Sequence, residues 1–162
     1  MRQRAGLARG DRVLAAALAQ DGTWLLGTRN ALVLVGTTTT TRLAWERVDS
    51  ADWDRDLDRL RVTEASRSGQ PAPVEHAFVV ADPGRLLGLV RERVTASLLL
   101  TRRVVVSGRQ GLTVLARRPP SGLGATVWTV RLDPGLDPGD PAVAEAADRG
   151  LRAARDELGE SD

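Results

Sequence analysis

The sequence predicts an α+β fold: an antiparallel β-roll or barrel capped by an amphipathic helix, followed by a three-stranded antiparallel segment and a C-terminal helix. Three observations predict it. Short runs of alternating apolar residues, divided by turn signals, recur from Val13 to Val80. Two Asp-Pro steps, at Asp82 and Asp140, each open a stretch with apolar residues at helical spacing. Between those stretches lie three more alternating runs. The expected organisation is a flexible arm over 1–10, a roll with its capping helix over 11–98, and a β-meander with a helix over 99–162. The parts are expected to pack as one compact unit, since 162 residues suffice for one well-filled core.

Composition narrows the chemistry. All 23 basic residues are arginine, and cysteine and tyrosine are absent, the usage of a GC-rich genome. Acids and bases nearly cancel to a net charge of +2, which argues against a uniformly basic nucleic-acid binder. Without cysteine there is no disulfide, thiolate nucleophile or cysteine-ligated metal. The start MRQRAGLARGDRVLAAALAQ mimics a signal peptide, but its apolar run is short and directly follows Asp11 and Arg12. No stretch reaches the roughly 18 apolar residues of a membrane span. A soluble cytoplasmic protein is expected.

The elements follow in order. MRQRAGLARG lacks periodicity and reads as the arm. Val13 to Ala19, Thr23 to Thr28 and Ala31 to Val35 read as a three-stranded meander, turning at Asp21-Gly22 and at Arg29-Asn30, where asparagine tolerates positive φ. Trp24 and Leu26 share a face of the second strand, and Trp24 is assigned to the core. The five threonines Thr37 to Thr41 favour extended backbone. Leu43 and Trp45 then alternate, but Val48 comes three positions later instead of two, so the strand must bend or bulge there. Ala51 and Trp53 resume the alternation, Asp54 to Arg59 turns, and Leu60 and Val62 complete a hairpin.

ASRSGQPAP over 65–73 is a polar loop, and Val74 to Val80 is another strand. From Asp82-Pro83, with aspartate capping, Leu86, Leu87, Val90, Val94 and Leu98 make a helix stripe. The period changes between Thr95 and Leu99. Leu98 to Ser107 and Gln110 to Arg118 are strands joined by Gly108-Arg109, Ala125 to Leu132 is a third, and Asp140-Pro141 opens the last helix. Its stripe is Val143, Ala147, Leu151, Ala154 and Leu158, and Gly159 ends it.

With that order in hand, residues 11–98 resemble a pleckstrin-homology-like (PH-like) fold. The resemblance rests on seven candidate strands before an amphipathic helix, and on a W-x-x-V bend followed by a second tryptophan, here Trp45, Val48 and Trp53. The segments ERVTASLLLTRRV, TVLARRPP and LDPGLDPGDPAV resemble those of uncharacterised actinobacterial proteins. The resemblance implies a bent seven-stranded roll whose open end is plugged by the helix, and supplies no activity. The basic cluster by which phosphoinositide-binding members hold phosphate is not matched, because the corresponding turn is Ala19-Gln20-Asp21-Gly22.

Three features are weighed as sites. His76, the single histidine, shares an apolar face with Val74, Phe78 and Val80 and has no accompanying nucleophile motif, so a satisfied core or edge histidine is expected. Asp52, Asp54, Asp56 and Asp58 invite calcium, but an EF-hand starting at Asp52 would need glycine and glutamate where Leu57 and Thr63 stand. The charge is asymmetric: residues 85–131 hold nine arginines against one acid, and residues 43–64 four against seven. The opposed segments can simply pair with each other. Alternatively Arg102, Arg103, Arg117 and Arg118 form an anion-binding face for lipid or nucleic-acid phosphate. Trp24, Trp45, Val48, Trp53 and Trp128 are assigned to the structural core.

No cofactor or metal is expected. The functional expectation is a non-enzymatic interaction or scaffolding module with a protein partner. A peripheral anion binder is the alternative, and a small enzyme with an unrecognised site is the third reading.

Overall fold

The computed structural model describes residues 7–65 and 73–160. Most of the arm and of the 65–73 loop therefore lies outside the described residues. The chain divides into two compact units, one running to Ser97 and including Arg118–Ala125, the other made of Leu98–Arg117 and the residues from Thr126 onward. The class is α+β, with two helices and three antiparallel sheets of four, three and three strands.

In the first unit, β1 (Val13–Leu18), β2 (Trp24–Thr28), β3 (Ala31–Val35) and β4 (Thr40–Ala44) form a meander with β1 at its edge. β5 (Val48–Asp54), β6 (Arg59–Glu64) and β7 (Glu75–Val79) form the second sheet. The expected barrel does not close. The turn Trp45–Arg47 is 3-10 helical and carries the chain from β4 in one sheet to β5 in the other, so the W-x-x-V offset is a corner. At the other seam, the Gln20 N–H donates to the Val79 carbonyl at 2.8 Å. Helix α1 (Leu86–Ser97) packs on β1, β2, β5 and the 3-10 turn.

Its start differs from the expectation, because Gly84 lies at φ +53, outside the helical region, so helix begins at Leu86 and not at the Asp82-Pro83 step. The Arg29-Asn30 turn also closes differently. Asp58, at φ 49, is the one non-glycine residue with positive φ among those described, so Asn30 does not use that region. Instead the Thr28 hydroxyl accepts from the N–H groups of Asn30 and Ala31 at 3.2 and 3.0 Å.

The core of this unit gathers Leu25, Leu32, Leu43, Val62 and Leu86 around Trp45 and Val48, both fully buried, with Trp53 packed against them. Trp24 is not a core residue: it is 46% exposed. The reason is parity. The inward row of β2 is Leu25 and Gly27, leaving Trp24 opposite Leu18 and Val35 on the outer face.

In the second unit, β8 (Leu98–Ser107), β9 (Gln110–Arg117) and β10 (Val127–Leu132) order as β10-β9-β8. Helix α2 (Pro141–Glu157) starts at Asp140, whose carboxylate accepts from the Ala142 N–H at 2.9 Å. Gly159, at φ 72, follows its C-cap. Its buried residues are Val143, Ala146, Gly150 and Ala154. A Cβ on Gly150 would stand 2.8 Å from Val104 and 3.0 Å from Val114, so glycine lets the helix lie close to β8 and β9. Trp128 packs against this core, partly buried.

Candidate interaction surface

The candidate surface starts from six residues, VLAAAL, that make β1. As the edge of its sheet, β1 presents one side of its backbone donors and acceptors outside the ladder. Edge strands are ordinarily blunted by charge or proline. Arg42 on β4, Glu75 and His76 on β7, and Arg102 and Arg103 on β8 supply such groups at other edges. β1 has none. Instead Val13, Leu14 and Leu18 are 37%, 43% and 49% exposed. A bulge between Val13 and Ala15 leaves Leu14 without a partner in the β2 register, and Leu14 lines the space beside α1.

Beside that edge runs α1. Leu86 and Leu89 anchor it on β2, since a Cβ on Gly27 would meet Leu89 Cδ2 at 2.5 Å and Leu86 Cδ1 at 3.2 Å. Between β1 and the helix lies an open groove of about 400 Å³, lined by Leu14, Ala15, Leu89 and Gly88, with Arg85 and Glu92 toward its two ends. Gly88 stands out physically. A glycine inside a helix costs about 1 kcal/mol relative to alanine. Yet a Cβ there would meet nothing within 4 Å, so no packing within the chain requires glycine. What its absent side chain leaves is room over the strand edge.

The arginines singled out by sequence do not converge. Arg102 and Arg103 sit on successive residues of β8 and point to opposite faces. Arg102 pairs with Glu157 at 3.3 Å. Arg103 grips Asp133 with both terminal nitrogens, at 2.7 and 2.5 Å, and also donates to the Arg109 carbonyl. With the Gly111 N–H as a further donor at 2.9 Å, the Asp133 carboxyl is held down to about 2, mainly by Arg103. Arg117 is 3% exposed and stands opposite Leu98, about 13 Å along the strand from Arg102. Arg118 is half-buried beyond the end of β9, its N–H bonded to the Ser97 carbonyl.

His76 Nε2 lies 2.9 Å from Glu64 Oε2 on the neighbouring strand, both partly buried. Of the four aspartates, Asp52 and Asp54 register opposite Arg61 and Arg59 across the hairpin. Asp54 also caps its own turn, accepting from the Asp56 and Leu57 N–H groups at 3.0 and 3.2 Å. No metal-holding cluster of acids and histidine exists among the described residues. No described helix is long and apolar enough to cross a membrane.

Sequence reasoning missed the β1–α1 groove. One signal was present in it: Gly88 stands inside the helix, off its apolar stripe. The edge position of β1 had none, because strand order within a sheet is not written in alternation. No family model, no curated protein and no solved structure matches the chain.

Proposed function

We propose that the chain is a non-enzymatic protein-interaction module built on a PH-like roll, with the β1 edge and the adjoining face of α1 as its docking surface. The carrying observation is the uncharged, apolar edge strand beside a helix that presents a bare glycine. Together they form a slot where an added strand gains backbone hydrogen bonds from β1 and apolar contact from Leu14 and Leu89. The PH-like part of the reading is supported by seven strands split four and three, joined through the Trp45 corner and followed by α1.

Site-specific photo-crosslinking in the producing cells tests it. A crosslinker replacing Leu14 captures defined protein species, and the same group at Thr38, on the loop after β3, does not. Sedimentation with anionic vesicles at low salt is the opposing arm: binding that Arg102→Ala and Arg118→Ala abolish, with no capture at position 14, would replace the protein-docking reading by an anion-binding one.

A further inference from the structure

We propose that the occupant of the β1–α1 groove is a second copy of this chain, docked edge to edge so that the two β1 strands pair antiparallel and the two four-stranded sheets become continuous. The inference deepens the docking reading above and rests on it.

The geometry points to self-association through its charges. Arg85 and Glu92 lie toward opposite ends of the groove, about 10 Å apart along the helix direction, with Gly88 midway between them. A two-fold axis beside Ala15 and Gly88 therefore brings Arg85 of each copy to Glu92 of the other. The same axis sets Gly88 against its own counterpart, at the point where the missing side chain allows two helices to approach. Arg85 has no ion pair of its own among the described residues, and Glu92 is 65% exposed with only its neighbour Arg93 at 3.6 Å. Both are free to exchange partners.

The strand satisfies the same symmetry. β1 is uncharged from end to end, so antiparallel pairing with itself opposes no like charges. Ala15 and Ala16 at its centre are small enough for the sheets to join without a clash over the seam, while Leu14 of each copy has the other's groove to enter. An unrelated partner would need to match an apolar slot with one positive and one negative end. A second copy supplies that pattern reversed.

The test is sedimentation velocity on the full chain between about 1 µM and about 1 mM, the range of weak to moderate homodimers. Wild type shifts to twice the monomer mass with concentration. Gly88→Arg, whose Cβ meets no atom of its own chain within 4 Å, stays monomeric with a thermal transition no lower than wild type. Arg85→Glu and Glu92→Arg each weaken dimerisation at least tenfold, and the double variant, which restores opposite charges across the two-fold, recovers it. A wild-type monomer throughout, a dimer indifferent to Gly88→Arg, or a double variant no better than the singles overturns the proposal. A wild-type monomer whose position-14 crosslinker still captures a different protein overturns the second-copy occupant alone. No dimer and no capture together remove the docking reading as well.

Discussion

The indole N–H of Trp45 donates to the main-chain carbonyl of Thr28 at 3.0 Å, tying the 3-10 corner between the two sheets to the end of β2. Thr28 is fully buried and its hydroxyl is already engaged in the turn to β3, so the Trp45 ring fastens three chain segments at one point. Trp45→Phe keeps most of the buried ring and removes the donor, leaving a buried carbonyl one bond short, a loss of about 1–3 kcal/mol. Trp45→Ala adds a cavity and costs about 3–5 kcal/mol. Urea titration followed by circular dichroism separates the two, and equal losses would show that the hydrogen bond contributes nothing.

Asp133 contributes to the acid limb of stability of the second unit. Its carboxyl is held at about 2 against an ordinary 3.8, chiefly by the hydrogen bonds from Arg103 and then by the Gly111 N–H. A carboxyl lowered by folding stabilises the native state above the unfolded value, and that contribution is lost as pH falls through the folded value. Asp133→Asn should therefore melt below wild type at pH 6. The gap should narrow from about pH 4 downward and close near pH 2. A gap constant over that interval would mean that Asp133 acts through shape and not charge.

The element order was legible in the sequence because period and punctuation agreed nearly everywhere. Gly22, Gly108 and Gly159 stand at positive φ at the predicted turns and helix end, and Asp140 caps where the Asp-Pro step marked it. Burial was less legible. Alternation gives two faces but not which is inward, and Trp24 fell on the outer one because Gly27, two rows from Leu25, had to face Leu86 and Leu89. Charge was harder still, since counting arginines from 85 to 131 could not reveal that Arg102 and Arg103 hold Glu157 and Asp133. The groove was illegible for another reason: it arises where one sheet ends, and pairing partners are chosen by tertiary geometry.

Glu160 closes the end of the second unit. One carboxylate oxygen accepts from the Thr126 hydroxyl at 2.6 Å and the other from the Trp128 indole N–H at 3.1 Å, while Arg155 lies 5.7 Å over the same indole. Glu160, three residues beyond the end of α2, thus ties down Thr126 and Trp128 at the start of β10. Glu160→Ala frees the indole N–H and should cost about 1–2 kcal/mol, with a red shift of the Trp128 emission. Glu160→Gln keeps an amide oxygen for the indole N–H and turns its amide N–H₂ to donate to the Thr126 hydroxyl, and should lose less. Reading the shift requires the other three tryptophans replaced by phenylalanine, and unchanged emission in the alanine variant would refute the tie.

Gly27 and Gly88 face the same helix problem with opposite consequences. At Gly27 a Cβ would stand 2.5 Å from Leu89 Cδ2 and 3.2 Å from Leu86 Cδ1, so both leucine side chains must shift to admit it, and Gly27→Ala is expected to destabilise by about 1–3 kcal/mol. At Gly88 a Cβ enters open space, and alanine in a helix interior gains about 0.5–1 kcal/mol over glycine. Both variants should be melted at low micromolar concentration, where association contributes least. If both shift in the same direction, Leu89 gives way to the new methyl without cost, and the groove loses the rigid wall on which the proposed docking depends. If Gly88→Ala stabilises as expected, glycine at this position serves no packing within the chain, which is what the proposed approach of a second β1 requires.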